Sequence, residues 1–293
     1  MTPPRIFATI WLTMGISVVI NTYNSEQYLA ECLASVQGVE DIVVCDMHST
    51  DATQAIVAEF GARLLFHERT GYVEPARNAA IAGANQDWVL VVDSDEVAPE
   101  GLLAYLRALV ALDDPPDVVL LPRRNRIFGR FLRGSWYPDY QCRFFRKGSV
   151  HWHPGVHSAP TTQGRCFHVP AERTDLALIH YNYDSIESFV SRLNRYTSLE
   201  LQNYQEQQRT FSLWQLLVKP FTVFFRLYVL KGGFQDGMPG FLAAVLMAVY
   251  RWVSLAKLWE LTRLQPQTPG RSPSGSGERI LSGSGLRDRT LQQ

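Results

Sequence analysis

Two apolar periods alternate along the first 122 positions of the chain. Short apolar runs at Ile16–Ile20, Asp41–Cys45, Ala62–Phe66, Trp88–Val92 and Asp117–Leu121 have the length and β-branched content of buried strands. Between them the spacing becomes helical. Over Ser25–Val36, the residues Tyr28, Leu29, Cys32, Leu33 and Val36 fall on one helix face, with Asn24 or Ser25 as the expected cap. A second helix follows Ser49-Thr50-Asp51, where Asp51 reads best as an N-cap, and a third begins near Pro75, a favoured first-turn residue. Pro99–Leu112 carries Leu102, Leu103, Leu106, Leu109 and Val110 at helical spacing. Strand–helix alternation of this kind predicts an α/β fold, a mostly parallel sheet with covering helices.

The pattern then changes. Arg123–Tyr183 is rich in Arg, aromatics, His, Gly and Pro with weak periodicity, as in a site-forming stretch rather than a second core. Helical spacing returns at Ile186–Gln208, followed by two strongly apolar segments, Phe211–Leu230 and Phe241–Leu261. Lys219, Pro220 and Arg226 interrupt the first; in the second, Arg251, Ser254 and Lys257 recur every third residue and share a face. A bilayer span needs about 20 residues almost free of charge. A helix with one charged face and Trp252 and Trp259 nearby suits the membrane interface instead. Packing of both helices as core stands beside that reading with equal weight, and a span in the first segment is a weaker third. From Gln265 onward the Gly/Ser/Pro/Arg-rich tail is expected to be disordered. At the other end, the apolar run Ile6–Met14 leads straight into the first strand with no small-residue cleavage site, so no export signal is read and Met14 is a candidate start. The expected boundaries are therefore 1–15, 16–122, 123–208, 209–264 and 265–293.

Composition narrows the classes. The 28 Lys and Arg balance 28 Asp and Glu, so no net charge draws the chain to nucleic acid. Cys32, Cys45, Cys142 and Cys166 have no CxxC spacing; Cys32 and Cys45 read as buried thiols in a reducing compartment, with a Cys142–Cys166 pairing left open.

The candidate chemistry lies mainly at strand ends. Trp88–Glu96 is an apolar strand running into Asp93 and Asp95, whose spacing sends both carboxylates off the strand on one side. In an open parallel sheet the carboxyl ends of the strands form the ligand crevice, and paired carboxylates there suit a hard divalent cation carrying phosphate oxygens. A haloacid-dehalogenase-type phosphatase with Asp93 as nucleophile also fits the pattern, as does a plain capping cluster before Pro99. Asp46 ends another strand, where it can accept hydrogen bonds from a base or ribose or simply hold a turn. Arg77 and Asn78 open a helix, where a diphosphate or a surface ion pair accounts equally well for the guanidinium. Trp136-Tyr137-Pro138-Asp139-Tyr140-Gln141-Cys142-Arg143 joins stacked aromatics to an acid and a cation, a candidate sugar floor with Asp139 as general base. His151, His153 and His157 have no Cys partners and Pro154-Gly155 between them, which argues against zinc.

Together these residues resemble a family 2 glycosyltransferase with the GT-A fold. The resemblance rests on Asn21-Thr22-Tyr23-Asn24, Asp46 with Ser49-Thr50-Asp51, Ala76-Arg77-Asn78 and Asp93-Ser94-Asp95. A narrower likeness, to the bacterial branch related to lipopolysaccharide inner-core glycosyltransferases, rests on Tyr137-Pro138-Asp139-Tyr140-Gln141, Arg143, Val156-His157, and Lys231-Gly232-Gly233 with Asp236-Gly237 and Gly240. The resemblance implies a nucleotide-sugar donor, usually a UDP-sugar, and transfer with inversion. It divides the chain into a nucleotide-sugar-binding half (16–122), an acceptor and catalytic half (123–208) and a membrane-associating helical segment (209–264). It implies nucleotide contacts from Asn21, Tyr23, Asp46, Arg77 and Asp93, and Mg2+ or Mn2+ on Asp95. Acceptor contacts are expected from Trp136, Tyr137 and Arg143, and the base is expected to be Asp139, with Glu96 and His157 behind it. The expected acceptor is a lipid-linked or cell-envelope saccharide, met at the inner face of the cytoplasmic membrane by a peripheral enzyme. Two departures stand out: His48 and Ala52 replace usual glycines, and Ser158 replaces the glutamate of Val-His-Glu. A non-catalytic nucleotide- or saccharide-binding scaffold remains the rival reading.

Overall fold

A computed structural model describes residues 15–69, 73–153 and 160–264. The apolar run before Gly15, His157 with its neighbours, and the tail from Gln265 lie outside the described residues. The first half is the expected parallel unit: β1 (Ile16–Thr22), β2 (Asp41–Asp46), β3 (Arg63–Phe66) and β4 (Trp88–Asp93), linked by helices α1 (Leu29–Ser35), α2 (Thr53–Glu59) and α3 (Glu74–Ala82). The short β5 (Glu96–Val97) and α4 (Leu102–Val110) follow, then β6 (Val118–Ile127), β7 (Arg130–Phe131) and β8 (Asp139–Arg146). The hairpin pair β9 (Val150–His151) and β10 (Thr161–Thr162), then β11 (Cys166–His168) and β12 (Leu178–Tyr183), complete the strands.

The main sheet runs β3-β2-β1-β4-β8-β6-β12-β5, with β7 and β11 also paired to β6. Its first four strands are parallel. The run at Asp117–Leu121 does become a strand, but not the next parallel neighbour of β4: β8 inserts antiparallel between β4 and β6. The sheet is therefore mixed in its second half. The stretch expected to be irregular supplies β8 and β12, and β12 returns parallel to β6.

Burial on both faces explains the continuous apolar runs of β1 and β4. On one face Val18, Ile20, Leu90 and Val92 pack with Leu29, Leu33, Leu102 and Leu106 of the helices. On the other, Val19, Val43, Val89 and Val91 meet Ala76 and Ala80 of α3. β8 serves both layers: Phe144 stacks on Trp88 at 5.2 Å between ring centroids, while Phe145 points the other way against Trp152 at 5.7 Å. The expected cap of α1 is a correction. Neither Asn24 nor Ser25 caps that helix; the Asn24 side chain accepts from the Thr50 N–H (2.8 Å) and the Ser25 N–H donates to Thr53 Oγ1 (2.8 Å), tying the β1 and β2 loops together.

Three helices close the chain: α5 (Ile186–Glu206), α6 (Leu213–Phe225) and α7 (Gly237–Leu264). A π-helical turn at Arg226–Leu230 and a 3-10 turn at Gly233–Asp236 join the last two. The polar stripe of α7 is turned toward α5. Lys257 Nζ donates to Thr197 Oγ1 and Ser198 Oγ (2.8 Å each), Ser254 donates to Glu200, and Arg251 reaches Tyr204 Oη (3.0 Å), so the stripe joins α7 to α5. α6 is otherwise: Leu213, Trp214, Leu217, Phe221 and Phe225 are all exposed, Trp214 by 73% and Phe221 by 76%. Core packing of both segments is thereby excluded for α6, which buries no residue among those described.

Far from the strand ends that carry the candidate chemistry, Asp41 pins the opposite edge. Its side chain is 5% exposed and accepts from Arg63 Nε (2.8 Å), Ser17 Oγ (2.6 Å) and the Asn85 N–H (2.9 Å). Burial alone would raise its pKa, but these donors, Arg63 foremost, outweigh it and hold the carboxyl below the usual carboxylate value. A depressed native pKa stabilises the fold above the unfolded value of about 3.9, and that contribution is lost as pH falls through the native value. Asp41→Asn is therefore expected to lower stability by about 2 kcal/mol at pH 7. The gap to wild type should narrow toward pH 3 in denaturant titrations, and a gap independent of pH would exclude the charge as its source.

Candidate active site

Beneath the carboxyl end of β4, three carboxylates and three guanidiniums share one enclosed space. Asp93, the last residue of β4, is held by Arg143 and by Arg77 Nη2 (2.7 Å). Glu96 of β5 is 0% exposed; one oxygen takes Arg143 Nη2 (2.7 Å) and Arg123 Nη1 (2.9 Å), the other the Asp93 N–H (3.0 Å). Asp139, at the start of β8, accepts from Arg123 Nε (2.8 Å), Asn125 Nδ2 (3.0 Å) and Gln141 Nε2 (2.8 Å). Burial would push both Asp93 and Asp139 up. The opposing charges win: Arg143 and Arg77 hold Asp93 far below the usual range, and Arg123 holds Asp139 below it.

Asp95, two residues on, has different surroundings, so the expected side-by-side pair is split. Its side chain is 25% exposed, 3.5 Å from His180 Nε2 and 3.9 Å from Arg192 of α5. The network around Asn125 orients His180. That amide donates through Nδ2 to Asp139 and to the Trp136 carbonyl (3.1 Å), so Oδ1 is left to accept from Asn182 Nδ2 (3.2 Å) and His180 Nδ1 (2.7 Å). With Nδ1 engaged by Asn125, His180 turns its Nε2 toward Asp95. A carboxylate and an imidazole nitrogen facing each other are a ligand pair that a divalent cation could use. Among the described residues no cluster of three or more His, Cys, Asp or Glu forms a complete metal site; Asp95 and His180 are a two-ligand edge that fits an ion completed by phosphate oxygens.

The other residues expected on the nucleotide side lie mostly at the β1 and β2 ends. Asp46 is fully buried and braces its own turn, accepting from the Ser49 N–H (3.0 Å) and Gln54 Nε2 (2.9 Å). It offers no surface to a base, which matches the turn reading. Asp51 accepts from the Thr53 N–H (3.0 Å) and the Glu26 N–H (3.1 Å), one position ahead of the cap residue Ala52. Asn21 is buried with neither side-chain polar atom partnered among the described residues, and Tyr23 Oη accepts from Arg69 (3.0 Å). Ala76-Arg77-Asn78 acts as a brace: beside the Arg77–Asp93 pair, Asn78 exchanges hydrogen bonds with the Trp152 backbone at 2.7 and 3.2 Å.

Of the residues expected at the acceptor, Asp139 opens into a cavity of about 660 Å3 roofed by α6 and α7. Trp136 and Ser135 line it, with Trp136 Nε1 and Ser135 Oγ unpartnered among the described residues. Arg123, Lys219, Arg226, Lys231 and Arg251 also line it. Tyr137 is turned away, its hydroxyl donating to the Ala171 carbonyl, and Tyr140 is likewise tethered to the Val169 carbonyl (2.9 Å). Arg143 is a correction: expected at the acceptor, it is 3% exposed, with both Nη atoms engaged by Asp93 and Glu96. Glu96 is buried beyond the reach of an acceptor hydroxyl.

The Lys231-Gly232-Gly233 motif explains how the roof is attached. The Asp236 carboxylate accepts from the N–H groups of Arg133 (2.8 Å) and Gly134 (3.0 Å), just upstream of Trp136. A Cβ on Gly134 would stand 2.3 Å from the Gly232 carbonyl oxygen, and one on Gly240 would stand 2.1 Å from that of Gly233. Only hydrogen fits at either contact.

Sequence reasoning overlooked Arg123, Asn125, His180 and Arg192. The signal for His180 was present in Leu178–Tyr183, where His180 and Asn182 alternate with apolar neighbours as inward polar residues of a strand.

Known proteins share the fold. The mannosyltransferase PcManGT from Pyrobaculum calidifontis, solved with GDP-Man and Mn2+, matches with a TM-score of 0.51 over 87% of this chain and 93% of its own, at 18% identity. TarS 1-349 of S. aureus, solved with UDP-GlcNAc, gives a TM-score of 0.45 at 19% identity, covering 81% of each chain. At such identities the likeness concerns the fold, which is of GT-A type. Among sequences, the lipopolysaccharide core biosynthesis glycosyltransferase LpsC of Rhizobium meliloti (strain 1021) is 26% identical over 255 residues, 84% of this chain and 93% of that protein. An uncharacterized glycosyltransferase of Rickettsia conorii is 27% identical over 266 residues, 85% of this chain and 91% of that protein. Residues 17–169 match the family model described as Glycosyl transferase family 2, and the chain belongs to that family.

Proposed function

We propose that this glycosyltransferase moves a sugar, with inversion, from a nucleotide-sugar donor to a saccharide of the bacterial cell envelope, lipid-linked or membrane-bound, from the cytoplasmic side. The observation that carries the reading is the split of the acids. Asp93 and Glu96 are locked into arginines, while Asp95 stays part-exposed beside His180 Nε2 and Asp139 fronts a cavity of saccharide size. A phosphatase using Asp93 is disfavoured, because both its oxygens are taken by guanidiniums. The name of the Rhizobium relative supports an envelope acceptor.

Asp95 and His180 are the residues that would hold Mg2+ or Mn2+. Bound there with the donor diphosphate, the ion would neutralise charge on the leaving group. Asn21, with its unpartnered amide, and Tyr23 are the nucleotide contacts we favour; Asp46 shapes their loop, and Arg77 acts through Asp93. Asp139 takes the proton of the attacking hydroxyl, with Trp136 as the platform on which the acceptor ring lies. Glu96 positions Arg123 and so orients Asp139. The exposed apolar row of α6 suits peripheral contact with a bilayer surface; by length and composition both α6 with its π turn and α7 are apolar enough to cross a membrane.

Asp95→Ala is expected to abolish transfer with the fold intact, and to remove the Mn2+-dependent part of UDP binding in isothermal titration. GDP serves as the comparison nucleotide, and unchanged metal-dependent binding in the variant would overturn the role of Asp95. Asp139→Asn should lower kcat by about 10^2–10^4-fold with little change in KM. Because Arg123 holds Asp139 low, the acid limb of kcat/KM should lie below the ordinary carboxylate range. Weakening that pair by Arg123→Lys should move the limb to higher pH, whereas an unmoved limb would assign the base elsewhere.

A further inference from the structure

The cavity in front of Asp139 is unusually cationic for a site meant only for a neutral sugar. Its sole lining carboxylate is Asp139, which is already paired with Arg123 (2.7 Å to Nη2). Lys219, Arg226 and Lys231 have no ion pair or side-chain hydrogen bond among the described residues. Lys219 lies on α6 and Arg226 and Lys231 on the turn after it, so the helix that exposes an apolar row also brings exposed cations to the cavity rim. Like charges gathered around one cavity repel one another, and an anionic ligand relieves that cost while gaining charge-assisted hydrogen bonds. Ser135 Oγ and Trp136 Nε1, unpartnered at the same wall, add donors. Neither Asp93 nor Asp95 lines the cavity, so these cations do not face the acid expected to carry the donor diphosphate.

We infer that this cavity is an acceptor-side anion subsite: the saccharide that receives the sugar carries a phosphate or carboxylate close to its reacting hydroxyl, held by Lys219, Arg226 and Lys231. The inference rests on the transferase reading above, and adds to it the chemical class of the acceptor.

The test titrates the full chain, with UDP and Mn2+ present, against glucose 6-phosphate, glucuronate and glucose. Wild type should bind glucose 6-phosphate at least about tenfold more tightly than glucose, and Lys219→Gln with Arg226→Gln should erase about tenfold of that preference. Both side chains are exposed and unpaired, so the fold should survive, and thermal melting of the double variant checks it; Lys231→Gln alone is the second variant. Glucuronate binding like glucose 6-phosphate would assign any anionic saccharide to the site, whereas glucuronate binding like glucose would assign phosphate alone. Equal binding of glucose 6-phosphate and glucose overturns the inference, as does a preference untouched by the substitutions. UDP affinity should stay constant across the variants, and its loss would move the donor diphosphate into the cavity and also overturn the inference. Absence of UDP binding in wild type, with the anion preference retained, would keep the anion subsite and strike down the donor reading of Asp95 instead.

Discussion

Glu96, wholly buried, sits between Arg123 and Arg143. A carboxylate with no exposed surface loses its hydration entirely, and several kcal/mol of that loss must be offset by close partners. The partners come from β6 and β8, and each has a second acid to satisfy: Asp139 for Arg123, Asp93 for Arg143. The sheet order brings these partners together. β8 must lie between β4 and β6 for one guanidinium to bridge the end of β4 to β5, and it is the strand that breaks the parallel run. The clamp also sorts the acids by partner. Asp93 and Glu96 are matched by arginines, whereas Asp95 faces the His180 imidazole and, at 3.9 Å, Arg192.

How much of this was legible in the sequence depended on range. β1 to β4 were readable because strands buried on both faces give unbroken apolar runs, and the helices between them show their own period. β8 and β12 were not, since Arg143, Gln141, His180 and Asn182 look like site-loop residues until their alternation is noticed. Asp93, Asp95 and Asp139 could be singled out as chemistry, but their fates could not. Arg143 stands 50 residues from Asp93 and Arg77 stands 16 away, and no local pattern announces such pairings. Asp46 shows the opposite case, where the modest reading as a turn residue was the one the geometry kept.

The C-terminal helices divide their surfaces in a way that composition alone disguised. Arg251, Ser254 and Lys257 mark a polar face, as their spacing implied, but that face is spent on α5. Exposed apolar surface is concentrated on α6, whose other side closes the cavity before Asp139. One helix therefore meets two environments, and its amphipathicity belongs to the site as much as to the outer surface.

The seam where Gly134 lies against Gly232, clasped by Asp236, has no side chain in it to absorb a mismatch. Backbone there fits backbone, so the hairpin and the segment leading to Asp139 share one register. Hybrid enzymes that exchange their C-terminal helices must therefore exchange residues 133–139 as well, because the helices and that segment are a single inheritable module.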